Sequence, residues 1–205
     1  MITDDLNKYR IILASRSPRR EQLLRETGLK FEVIVKEFNE KYPEHLRGKE
    51  IALYVAYEKA KLFANDITEN EIVITADTIV WCNNRLLGKP ADADEAKNMI
   101  REISGNTHEV ITGVCLFSSS KSRTFAVSTK VTFGKLSEEE ITYYVDNFKP
   151  FDKAGAYGIQ EWIGITACSN IEGSYFNVVG LPVQRVYKEL LGFIKQPGKS
   201  DKKRM

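Results

Sequence analysis

The stretch EIVITADTIVWCNNRLLGKP, residues 71–90, sets the strongest limit on the fold. It opens as a long apolar run rich in β-branched residues, too continuous to lie on a solvated surface, so it reads as a buried strand. Asn83-Asn84 then supplies a turn, and a short return strand is closed by Gly88 and Pro90. One residue breaks the run. A carboxylate at Asp77, buried without a partner, would be costly, so Asp77 is expected at a bend or facing a cleft. There it could hold Mg²⁺ through oxygen, accept a proton from water, or hydrogen-bond its own turn.

The flanking pattern adds a second class of element. RIILAS, residues 10–15, is another buried strand, and Pro18 suits the first turn of a helix that Gly28 stops. KFEVIV reads as a strand and residues 49–65 as a helix. A helix follows over 92–103, capped by Asp92. HEVITGVCLF and SRTFAVSTKVTFGKL form a hairpin around 118–122. Ser137 starts an acidic-led helix, and 181–195 is the last one. The stretch from Lys149 to Pro182, rich in glycine and aromatics, resists assignment, as functional stretches often do. The expectation is an α/β fold: an elongated mixed β-sheet flanked by helices, with residues 1–195 a single domain and 196–205 a frayed polar tail.

Charge and cysteine content narrow the function. Lys and Arg number 30 against 28 Asp and Glu, a net charge of +2, so a basic nucleic-acid-binding face is disfavoured and local cationic sites are favoured. Three scattered cysteines and two histidines give no disulfide framework, zinc motif or multi-histidine metal site. With no apolar run of membrane-span length and no signal-like start in MITDDLNKYR, a cytoplasmic location and no membrane partner are expected.

The cations gather where an anion could use them. LASRSPRREQLLRETG carries four arginines across a strand–helix junction. The helix N-terminus, the hydroxyls of Ser15 and Ser17, and the forks of Arg19 and Arg20 could hold a phosphate; the alternative is a capped helix with solvated arginines. The glycines of a Walker loop are absent. Lys59 in YEKAK, Lys89 in LLGKP and Glu40 in EFNEKYP are weak signals singly. Together with Asp77 they are the inventory that Mg²⁺-assisted chemistry on a triphosphate requires. Spacing alone does not bring them together.

Eight stretches, in order, resemble the Maf family of house-cleaning nucleotide pyrophosphatases: LASRSPRREQL, EFNEKYP, AYEKA, ITADTIV, LLGKPADADEA, SGNTHEVITGV, DKAGAYGIQ and IEGSYFNVVGLP. The resemblance implies two lobes around a central cleft and hydrolysis of a nucleoside triphosphate to monophosphate and pyrophosphate, with Mg²⁺ or Mn²⁺ as cofactor. It makes Asp77 the catalytic acidic residue, as general base or metal ligand, with Glu40 assisting at the metal. Ser15, Arg20, Lys59 and Lys89 would hold the phosphates. Arg19, Thr78 and Gln160 match the branch resembling dTTP and UTP pyrophosphatases. The Gln160 carboxamide could pair with N3–H and a carbonyl of uracil or thymine, a pattern that cytosine does not offer.

The family also implies a homodimer, which no residue here derives. Its association with septum inhibition keeps a second function open, a non-catalytic nucleotide- or nucleic-acid-binding regulator linked to cell division. Two departures stand out. After YGIQ this chain reads EWIGITACSN where the family tends to glycine, a small residue and an aromatic, which bears on base access or a subunit contact. Asn39 stands in EFNE where acids are frequent, which bears on metal binding.

Overall fold

The computed structural model of the chain describes residues 3–195; the tail expected at 196–205 lies outside the described residues. The long apolar run is strand β3 (Glu71–Cys82), the centre of a seven-stranded mixed sheet. Strand β1 (Arg10–Leu13) lies parallel to β3 on one side and to β2 (Glu32–Val33) on its other edge. Asn83 and Asn84, at φ 48° and 60°, make the expected turn into β4 (Arg85–Leu87), which pairs back on the end of β3. On the other side run β5 (Thr107–Phe117), β6 (Ser122–Phe133) and β7 (Cys168–Glu172), all antiparallel, giving the order β2-β1-β3-β5-β6-β7.

Because side chains alternate along a strand, β3 divides the molecule into two packed layers. Ile72, Ile74, Ala76, Val80 and Cys82 face a large core. This is closed by α2 (Pro18–Glu26), α4 (Ala93–Ile103), α5 (Glu138–Phe148) and α8 (Val183–Lys195). Val73 and Ile79 point the other way, toward α3 (Lys49–Lys61) and the segments on either side of it. The helix starts follow the sequence signals. Ser17, Asp92 and Ser137 each accept a backbone N–H three residues on, and Glu140 completes a capping box with Ser137.

Three expectations change in extent. KFEVIV yields only the two-residue β2, because its neighbour β1 ends at Leu13 and leaves Ile34 one last hydrogen bond to the Leu13 carbonyl. The helix expected over 49–65 ends at Lys61, giving way to short-range turn bonds through Phe63 and Ala64. The last helix starts at Val183, after Pro182. The unassigned glycine-rich stretch is ordered into a 3-10 turn (Ala154–Ala156), α6 (Trp162–Ala167), the edge strand β7 and α7 (Tyr175–Val179). The first element, α1 (Thr3–Leu6), packs beside α8. Cys82 and Cys115 are buried among apolar side chains, as expected of small hydrophobes.

Candidate active site

The site arises from a gap in the sheet. Strand β1 stops at Leu13, opposite Ile74, and β4 begins pairing only at Val80. Between them, Ala76 to Ile79 have no strand on that edge among the described residues. A cleft of about 1190 Å³ opens there, at the carboxyl end of a parallel strand pair. Its walls include Ser15 to Arg20, the 35–42 segment, Lys59, Asp77, Lys89 and the 152–161 segment. Every site residue expected from the sequence lines it: Ser15, Arg19, Arg20, Glu40, Lys59, Asp77, Thr78, Lys89 and Gln160.

Neighbours in sequence, Asp77 and Thr78 turn to opposite faces of β3. On the α3 face the Lys59 ammonium donates to Asp77 Oδ1 at 2.8 Å and to Glu40 Oε1 at 2.7 Å. Lys89 lies 3.7 Å from Glu40 Oε2. The pairing of Asp77 answers the cost of placing a carboxylate in an apolar strand, since its side chain is only 13% exposed. Burial alone would raise the Glu40 carboxyl; the hydrogen bond and charge of Lys59, with Lys89 and Arg20, outweigh it and hold the group below its ordinary range.

On the other face, the Arg20 guanidinium is turned inward. Its Nε donates to the Gly180 carbonyl, Nη1 to the Ala76 carbonyl and Nη2 to Thr78 Oγ1, at 2.8, 2.8 and 2.9 Å. Arg20 thus fills the unpaired edge of β3, keeping one N–H on each terminal nitrogen for an incoming anion. Burial pulls its affinity for the proton down, opposed by the charge of Asp77. Thr78 Oγ1 also meets Thr112 Oγ1 at 2.9 Å across the β3–β5 ladder.

Ser15 is buried and accepts the Ser17 N–H through its Oγ, which draws the chain tight just before α2. Arg19 pairs with Asp152 at 3.3 Å, tying the start of α2 to the 152–161 segment. The Gly155 N–H donates to the Gly88 carbonyl, binding that segment to the loop that bears Lys89. Gln160 is exposed at the tip of a turn closed by the Glu161 N–H on the Gly158 carbonyl.

The sequence reading missed Asp152, Lys153, Glu161 and Gly113. Gly113 faces Asp77 across the ladder, and a Cβ there would sit 2.3 Å from the Ala52 backbone, so the glycine lets α3 rest directly on the sheet. Its place in the strand-like SGNTHEVITGV was the available signal.

A sheet gap at the end of parallel strands, a helix N-terminus, converging cations and paired carboxylates define an α/β protein with a cleft fitted to a polyphosphate. The family model for Maf-like protein matches residues 10–193, and the chain belongs to that family. It is 53% identical over 188 residues to the dTTP/UTP pyrophosphatase of Phocaeicola vulgatus, covering 91% of this chain and 97% of that protein. It is 51% identical to that of Flavobacterium psychrophilum, covering 93% and 98%. Among solved structures, a HAM1 protein from Coxiella burnetii shares the fold at a TM-score of 0.50 and 13% identity, over 90% of this chain and 99% of that one.

Proposed function

We propose that this protein hydrolyses dTTP and UTP to the monophosphate and pyrophosphate, a house-cleaning reaction on nucleotide pools. The observation that carries the reading is Lys59 held between Glu40 and Asp77 in a cleft rimmed by further cations. The relatives' names support the substrate class.

In this reading the triphosphate enters with its phosphates toward Lys59, Lys89, Ser15, the remaining N–H groups of Arg20 and the amides that open α2. The cations there oppose the charge that develops on the leaving group. Asp77 takes the proton of a water attacking the α-phosphorus in line. The α–β bridging P–O bond breaks, and its electron pair leaves on pyrophosphate. Arg20 bridges the open strand edge and fixes Thr78, and the Gln160 carboxamide pairs with the base. Its donor and acceptor suit uracil and thymine and leave polar groups unpaired against cytosine.

A divalent cation fits the donor set. Glu40 and Asp77 are hard oxygen ligands sharing one cation already, and among the described residues no group of three or more metal-ligating side chains forms a complete cage. Two carboxylates supplemented by substrate phosphates is the arrangement that Mg²⁺ or Mn²⁺ uses. When bound, the ion would neutralise phosphate charge and polarise the reacting phosphoryl group. Among the described residues no helix is long and apolar enough to cross a membrane; the reading places the enzyme in the cytoplasm, as a homodimer, with residues 1–195 as its single domain.

Pyrophosphate release from a panel of nucleoside triphosphates, with Mg²⁺, Mn²⁺ or EDTA, tests the proposal. Metal-dependent release preferring dTTP and UTP is expected. Release from other nucleotides would discard the base assignment, and silence from folded protein would favour the non-catalytic binder.

A further inference from the structure

Gln160 sits on a turn that is clamped from several elements at once. It occupies the third position of the Gly158–Glu161 turn, whose second residue, Ile159, is buried. The Gly158 N–H donates to the Tyr144 hydroxyl oxygen at 3.0 Å, and that hydroxyl donates to Glu161 Oε2. The other carboxylate oxygen, Oε1, lies 3.0 Å from the Lys153 ammonium, a side chain only 10% exposed. The carboxylate folds back over Gly158, where a Cβ would come within 2.7 Å of Glu161 Cδ. From below, α6 presses on the turn at Gly164, where a Cβ would sit 2.0 Å from the Ile159 carbonyl oxygen.

Glu161 occupies the position before α6, where a carboxylate could cap the helix, yet it makes no capping bond. Its two oxygens serve Tyr144 and Lys153 instead. Tyr144 is fully buried, stacked on Phe148 and Trp162, so it offers a rigid post. Burial and the adjoining Glu161 carboxylate keep its hydroxyl protonated far above the usual phenol range, and hence a donor. Lys153 also holds Asp152 at 2.6 Å, and Asp152 holds Arg19. The tie therefore runs from the turn under Gln160 to the start of α2.

We propose that Glu161 is a specificity-positioning residue: locked by Tyr144 and Lys153, it holds the Gln160 carboxamide in register with the pyrimidine base. This rests on the reading of Gln160 as the group that recognises uracil and thymine. With both oxygens engaged, Glu161 acts through Gln160 rather than on the nucleotide. Misplacing a recognition group by about an ångström costs up to about 100-fold, and the loss falls on the substrate whose pattern that group reads.

The test is the ratio of kcat/KM for UTP to that for CTP, measured for Q160A, E161A, E161Q, Y144F and the Q160A/E161A double variant, each checked for folding by circular dichroism. E161A and Y144F should lower the ratio about tenfold, chiefly through UTP. E161Q, which keeps an oxygen acceptor for Tyr144, should recover part of it. E161A should add nothing to the ratio in the Q160A background. Equal losses on UTP and CTP, or an unchanged ratio in both E161A and Y144F while Q160A lowers it, would overturn the positioning role. An unchanged ratio in Q160A itself would overturn the base-reading assignment beneath it. Y144F deletes one oxygen and no carbon, so it decides the matter if E161A does not fold.

Discussion

Gly113 lies directly opposite Asp77 in the β3–β5 ladder, and the Ala52 backbone of α3 rests on its bare Cα. This contact brings α3 near enough for Lys59 to reach Asp77 at 2.8 Å. Adding a methyl group forces the helix off the sheet. Gly113→Ala should cost about 1–3 kcal/mol, the usual range for overpacking. It should also lower turnover by displacing Lys59. Chemical denaturation and steady-state kinetics on one preparation check both effects; unchanged stability would mean that the helix does not sit where described.

Asp77→Asn keeps the shape of the side chain and removes its charge and basicity. Turnover should fall by at least about 10²-fold, the low end of what general-base removal costs. Lys59 would retain Glu40 as a partner, so the melting temperature should change little. A wild-type rate at saturating substrate would dismiss the role of Asp77.

Thr78→Val tests the other face of β3. Valine matches threonine in shape but cannot accept the Arg20 Nη2 hydrogen bond or meet Thr112. Leaving these partly buried groups short of a partner should cost about 1–3 kcal/mol in a urea titration. Joined to Arg20→Lys, its effect should be less than additive, because both act on one network.

His108 governs a pH response. Burial between Phe133 and Tyr157 pulls its pKa from 6.5 down to about 4. A depressed folded pKa means that the unfolded chain binds the proton more readily. The contribution is therefore full above pH 6.5 and is lost as pH falls toward 4, amounting to roughly 3 kcal/mol. Denaturation midpoints between pH 7 and 4 should slope accordingly, and His108→Gln, which does not titrate, should flatten the part between 6.5 and 5. The same slope in that variant would exclude His108 as the cause.

Local chemistry made most elements legible. The Asn83-Asn84 turn, the three helix caps and the β5–β6 hairpin lie where their residues put them, because turns and caps are decided over three or four residues. Their convergence was less legible. Asp77 signalled itself by breaking an apolar strand, but its joint hold on Lys59 with Glu40 depends on α3 crossing the sheet at Gly113. Arg20 read as a phosphate ligand, whereas much of its guanidinium serves the open edge of β3, a demand set by where β1 and β4 end. The Glu161 clamp joins residues from α5, the turn and Lys153, and only its departure after YGIQ marked it.

Hydrolysis of UTP in ¹⁸O-enriched water, with the products resolved by mass spectrometry, tests the central claim most directly. Water activated by Asp77 at the α-phosphorus predicts UMP carrying one ¹⁸O atom and pyrophosphate carrying none. Label in the pyrophosphate, or UDP with orthophosphate as products, would contradict it.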